Sequence, residues 1–191
     1  MIRHNYDDCR SGKFIPKGAC MKSWRQALRD GAVSGSVASV LSTAALSAYG
    51  EQEDGTPYGP TNAISHWFWG RRATQRDGPS MRYTALGYAI HHASSTFWAV
   101  IYEKWLGEHA EQKSLVPAFA GGTAIAGLAC FVDYTLTPRR LRPGFEQRLP
   151  RRSLFVVYAA FGLGLALRGM VASEESRMES PRRHCIPAGR P

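Results

Sequence analysis

The stretch YTALGYAIHHASSTFWAVIY, residues 83–102, decides the fold that this sequence predicts. It carries no formal charge over about the twenty residues that a helix needs to cross the hydrocarbon core of a bilayer. Tyrosines at its two ends are typical of interfacial aromatics. His91 and His92 stand in its middle, where a polar side chain facing lipid would be costly. The stretch therefore predicts a membrane-spanning helix at the centre of a bundle, with a polar middle that other helices share.

Three further windows are almost free of charge. Residues 31–49 have none, residues 115–137 contain only Asp133, and residues 153–172 contain only Arg168. The mean hydropathy of the whole chain is −0.28 because the segments between these windows are strongly polar. The pattern predicts an all-α integral membrane bundle of four transmembrane helices. A secretory signal is the rival interpretation of the first window, but three more windows follow it and no A-x-A cleavage site does.

The segments outside the windows complete the predicted organisation. We expect residues 1–30 to be a basic, mostly disordered N-terminal segment, residues 31–172 to form the membrane domain, and residues 173–191 to be a disordered tail. Between the first two spans, the sequence PTNAISHWFWG at residues 60–70 predicts a short interfacial aromatic helix beside Arg71 and Arg72.

Small residues recur at spacing four on two of the predicted spans, which lets helix backbones approach closely. These candidate packing positions are Gly31, Gly35, Ser39 and Thr43 on the first span and Gly122 and Ala126 on the third. We expect them to pack helices within the chain or against a second copy or another membrane protein.

The net charge of +9 comes from 24 Lys and Arg against 15 Asp and Glu. No nucleic-acid-binding motif accompanies it, so we expect no nucleic-acid partner. Basic residues beside apolar windows indicate contact with the anionic headgroups of a lipid bilayer. Their numbers near the spans are almost equal on the two predicted sides, so the positive-inside rule leaves the orientation open.

Polar residues near one predicted membrane face form a candidate polar cavity. Its members are His91, Asp133, Tyr88, His66 and Asn62. His91 has small neighbours at spacing four and is therefore expected to face the bundle.

Intramembrane ionisable residues have two interpretations here. For Asp133, a structural ion pair with Arg139 or Arg140 competes with a functional role. For the histidines, an interhelical hydrogen bond competes with proton handling or ligand binding. Arg168 is expected to extend toward the headgroups near Glu103.

Several classes of site are not supported by the sequence. The four cysteines are scattered without a CxxC pair, which predicts no metal site. A haem would need axial ligands from two helices, and only the second span holds histidines. No metalloprotease, nucleophile-elbow, Walker or dinucleotide motif is present, so we predict neither a cofactor nor enzyme activity.

Three segments carry a resemblance: PTNAISHWFWG (60–70), GYAIHHASSTFWAVIYE (87–103) and VDYTLTPRRLRPGFEQRL (132–149). Together they resemble small multi-pass inner-membrane proteins of proteobacteria that have no assigned activity. The resemblance implies a helical bundle in the bacterial inner membrane. We therefore expect a structural or interaction component of that membrane, or alternatively a small transporter or proton-linked carrier that uses His91 and Asp133.

Overall fold

The computed structural model describes residues 21–107 and 115–179, and within these ranges the chain is all-helical, without a strand. The predicted disorder at residues 1–20 and 180–191 lies outside the described residues. The six α-helices are α1 (Trp24–Asp54), α2 (Gly59–Ile64), α3 (His66–Trp69), α4 (Leu86–Trp105), α5 (Leu115–Phe131) and α6 (Arg151–Glu179).

Short helical turns extend and connect these helices. A π-helical turn, Met81–Ala85, leads into α4, and another, Val132–Leu136, continues α5. Three 3₁₀ turns lie in the connections, at Gly70–Gln75, Arg139–Leu141 and Phe145–Gln147. The predicted single aromatic helix between the first two spans is thus two short helices, of which α2 is buried and α3 carries the aromatic side chains.

Helix α1 is longer than the predicted span of residues 31–49. A capping box at Ser23 and Gln26 starts the helix seven residues earlier, and Gly55, with φ of 70°, ends it. Gly50 lies inside the helix. A side chain there would come within 2.6 Å of the Thr56 carbonyl oxygen, so this glycine permits close packing of the following loop. Helix α6 likewise continues to Glu179, past the predicted boundary at residue 172.

The central helix is α1, which packs along both α4 and α6, and α5 packs against α6. Helices α4 and α5 touch each other only slightly. The sequence placed the histidine-containing helix α4 at the centre, and the contacts correct this expectation. The physical reason is that α1 carries small residues on more than one face, so that two neighbouring helices can pack closely against it.

The small residues predicted to pack helices form close contacts inside the chain. A Cβ atom added at Gly35 would lie 2.7 Å from Thr96 Cα, and one at Gly31 would lie 2.8 Å from Val100 Cα, both on α4. Gly122 of α5 meets the backbone of Gly162 on α6 in the same way. Ser39 and Ala126 are buried, and Thr43 is partly buried. The first-span glycines are therefore covered by α4 and are not free for a second copy.

Small side chains predominate inside the bundle and large apolar ones outside it, which is the reverse of the pattern in a water-soluble bundle. Much of the buried core consists of alanines, while large apolar side chains point outward from all four long helices. The exposed ones include Val33, Val40, Phe97, Val116, Phe119, Leu128, Phe131, Phe155 and Leu163.

Two segments, Trp24–Asp54 and Val116–Leu136, are long and apolar enough to cross a membrane. Their most apolar windows are 39% and 33% buried within the fold.

Candidate functional site

A cavity of about 480 Å³ lies between α4 and α5, two helices that touch each other only slightly. Its walls are mostly apolar, and α1 and α6 contribute to them. The residues that line it are Ser42, Ile64, Trp67, Ile90, His91, Ala93, Ser94, Ser95, Phe97, Trp98, Ala129, Val132, Asp133, Thr137, Leu141, Pro143, Phe145, Val157, Tyr158 and Phe161. This size and this mixture of apolar walls with a few polar groups are typical of small-molecule sites.

His91 is held by a hydrogen bond to α1. Its Nε2 atom lies 2.8 Å from Ser42 Oγ, which also lies 2.7 Å from the Ala38 carbonyl oxygen. A serine hydroxyl has one proton, and that proton is donated to the carbonyl. His91 Nε2–H must then donate to Ser42 Oγ, which assigns the tautomer from the network. Nδ1 is left as an acceptor with no hydrogen bond to any described residue.

Asp133 is held by α6. Its Oδ2 atom accepts a hydrogen bond of 2.6 Å from the Tyr158 hydroxyl. The expected ion pair with Arg139 or Arg140 does not form in the described structure, where Pro138 and a 3₁₀ turn place both arginines after the end of the helical segment. The structure thus replaces a charged partner with a neutral one, which leaves the second carboxylate oxygen of Asp133 available to a ligand.

The structure brings two of the five candidate cavity residues together, since His91 and Asp133 both line this cavity. Tyr88 lies elsewhere, with its ring 5.9 Å from that of His92. Ser42 and Tyr158, the two residues that hold His91 and Asp133, were missed by sequence reasoning. The only signal for them was a polar side chain within an apolar window.

Asn62 is buried in α2 and joins the connecting loop to the start of α4. Its Nδ2 atom donates to the carbonyl oxygens of Arg76 and Gly78, at 2.9 and 3.0 Å, and its Oδ1 atom accepts from Thr84 Oγ1 at 2.6 Å. Both amide protons and the carbonyl oxygen are therefore engaged. This arrangement gives Asn62 a structural role and separates it from the cavity.

His66 lies at a second pocket, of about 420 Å³, on the surface beside α3. The residues that line this pocket, called here the arginine pocket, are His66, Trp67, Phe68, Gly70, Arg71, Thr74, Arg140 and Gln147. Trp67 also lines the cavity between α4 and α5. The two spaces are therefore neighbours that share one wall.

Arg148 fixes the connections at this end of the bundle. Its guanidinium contacts Asp54 Oδ2 and Asp77 Oδ1, each at 2.5 Å, and donates to the Thr74 carbonyl oxygen at 3.0 Å. Desolvation alone would lower the pKa of Arg148, but the hydrogen bonds to Asp77 and Asp54 raise it above its usual value. The arginine stays charged and holds the segments that border the arginine pocket.

Four charges meet at the other end of the bundle, where α1, α4 and α6 converge. Lys22 Nζ lies 2.7 Å from Glu103 Oε2 and 2.9 Å from Asp30 Oδ2. Arg168 lies 2.8 Å from Asp30 and 3.6 Å from Glu103. Arg168 is thus beside Glu103, as expected, but it is engaged in ion pairs inside the bundle.

No group of three or more potential metal-ligating side chains occurs among residues 21–107 and 115–179. Comparison with known proteins gives no match: no family model matches the chain, and no curated protein or solved structure is significantly similar to it.

Proposed function

We propose that the chain is a four-span, multi-pass protein of the bacterial inner membrane that holds a small amphipathic molecule in the cavity between α4 and α5. The membrane part of the proposal is supported by the outward-facing large apolar residues on all four long helices. Large apolar surfaces suit lipid contact, and small residues inside suit close helix packing in a membrane. The inner-membrane location is supported by the resemblance noted above.

Accessibility of single cysteines tests the four spans. In a background with the native cysteines replaced, we expect Gln75→Cys and Arg139→Cys to react from the same side of intact spheroplasts with a membrane-impermeant maleimide. Arg25→Cys should react from the opposite side. All three positions are exposed in the structure. Labelling of positions 75 and 139 from opposite sides would contradict the four-span arrangement.

The cavity carries the ligand-binding part of the proposal. Apolar walls would accommodate an aliphatic or aromatic body, while His91 Nδ1 and the free oxygen of Asp133 supply two hydrogen-bond acceptors. An acceptor that faces an apolar cavity is costly unless it is paired. A ligand with a hydroxyl or similar donor satisfies these groups, so the cavity favours an amphipathic molecule over a purely apolar one. No catalytic step is part of this proposal.

Photolabelling with a diazirine-bearing medium-chain alcohol tests occupancy. We expect the label on Val157 and Phe161, which line the cavity but are otherwise buried. Ala93→Trp should reduce this labelling about tenfold by filling the mouth, because Ala93 lines the cavity and is exposed. Ala89→Trp, at an exposed site one helical turn away, is the matched control. Labelling confined to outward residues such as Phe155, and equal in both variants, would refute the proposal.

Two other functions rest on the same features. A small proton-linked carrier is favoured by the presence of both ionisable groups, His91 and Asp133, on one cavity. A structural or interaction component remains the alternative if the cavity holds only lipid. Self-association through Gly31 and Gly35 would require α4 to leave α1, so an interaction partner would have to use the outward apolar faces.

A further inference from the structure

The arginine pocket has the charge and the unpaired groups of an anion site. Arg71 and Arg140 approach it from two different segments, and neither forms an ion pair or a side-chain hydrogen bond in the described part of the chain. Guanidinium groups bind phosphate with two parallel hydrogen bonds, which makes arginine the usual residue for phosphate recognition. Two unpaired guanidinium groups on one pocket therefore favour a phosphate group.

His66 adds a second, independent feature. Its Nδ1 atom lies 2.9 Å from the Ala63 carbonyl oxygen, which can only accept, so Nδ1 carries the proton. Its Nε2 atom is buried and has no hydrogen-bond partner in the described residues. In this tautomer Nε2 is an acceptor, and a hydroxyl group is the partner that satisfies it. The pocket thus fits a phosphate that carries a hydroxyl-bearing substituent.

The surroundings place apolar material next to this anion site. Phe68 lines the arginine pocket and is 66% exposed, as expected of an aromatic side chain in the headgroup layer. Trp67 separates the pocket from the cavity between α4 and α5 and lines both. Trp67 is fixed there because its Nε1–H donates to the Arg142 carbonyl oxygen at 2.9 Å. A polar headgroup site and an apolar cavity are therefore adjacent across one anchored ring.

We propose that the arginine pocket binds the phosphate of an anionic glycerophospholipid with a hydroxyl-bearing headgroup. Arg71 and Arg140 bind the phosphate, and His66 Nε2 accepts a hydrogen bond from the headgroup hydroxyl. This site does not depend on the proposed function of the cavity between α4 and α5.

Lipid retention by the purified protein tests the phosphate site. In native mass spectrometry with equal phosphatidylglycerol and phosphatidylcholine, we expect preferential retention of phosphatidylglycerol. In the double variant Arg71→Gln/Arg140→Gln, the preference for phosphatidylglycerol over phosphatidylcholine should fall about tenfold, because charge-assisted contacts with the phosphate are removed. Arg72→Gln/Arg139→Gln removes the same charge from adjacent exposed positions that do not line the pocket and should keep it.

Each result has a defined meaning. Equal losses in the two double variants, or equal retention of the two lipids by the unaltered protein, would overturn the phosphate site. Displacement of phosphatidylglycerol by free glycerol phosphate at similar concentration would show a soluble ligand and overturn the lipid assignment. Photolabelling of the cavity should be unchanged in the Arg71→Gln/Arg140→Gln variant, so the phosphate site and the proposed function of the cavity fail or stand separately.

Discussion

Glu103→Ala is expected to destabilise the folded protein by about 3–5 kcal/mol, the loss typical of breaking a buried ion pair on one side only. Glu103 is 2% exposed and lies against Lys22 and, more distantly, Arg168. Its removal leaves two cations facing the single carboxylate of Asp30. The measurement is the unfolding midpoint in mixed micelles as the fraction of denaturing detergent is raised.

Two variants define the control for this result. Glu51→Ala removes the same charge from an exposed position on α1 that forms no ion pair within the described residues, and it should change the free energy of unfolding by less than about 0.5 kcal/mol. Lys22→Met added to Glu103→Leu restores neutrality and should recover much of the loss, because apolar residues often replace a buried pair without cost. Equal effects of Glu103→Ala and Glu51→Ala would show that the charge cluster does not stabilise the bundle.

The helices could be predicted from sequence because their signal is local. A window without charge can be recognised from a short stretch of sequence alone. The structure has a long helix at each of the four windows. The helix ends were harder to predict from the sequence. Gly50 resembles a helix breaker in sequence, and only its contact with the Thr56 carbonyl and Pro60 explains why a glycine lies inside α1.

The site was only partly predictable because its contacts join distant parts of the chain. The spacing of small residues indicated that His91 faces the bundle, but nothing local pairs it with Ser42, 49 residues away. Asp133 has arginines nearby in sequence, yet its partner is Tyr158 on another helix. The charges that are near Asp133 in sequence suggested an ion pair. The packing of α5 on α6 instead brings Tyr158 to the carboxylate.

Gly122→Ala is expected to destabilise the protein by about 1–3 kcal/mol, the usual cost of overpacking a close contact. A Cβ atom at this position of α5 would overlap the Gly162 carbonyl oxygen and approach Ala166 Cβ to 3.4 Å. Both neighbours belong to α6, and a backbone carbonyl cannot rotate away as a flexible side chain can. Helices α5 and α6 would have to separate, which also loosens the wall that carries Asp133 and Tyr158. Unfolding in mixed micelles measures the effect.

Gly127→Ala is the matched control, because it makes the same substitution in the same helix where nothing lies within 4 Å of the added atom. It should be neutral or stabilise by up to about 1 kcal/mol, since alanine restricts the unfolded chain more than glycine does. Equal destabilisation by both variants would contradict the α5–α6 contact. Because that contact lies within one chain, the Gly122→Ala loss should not depend on protein concentration, whereas a loss of self-association would grow on dilution.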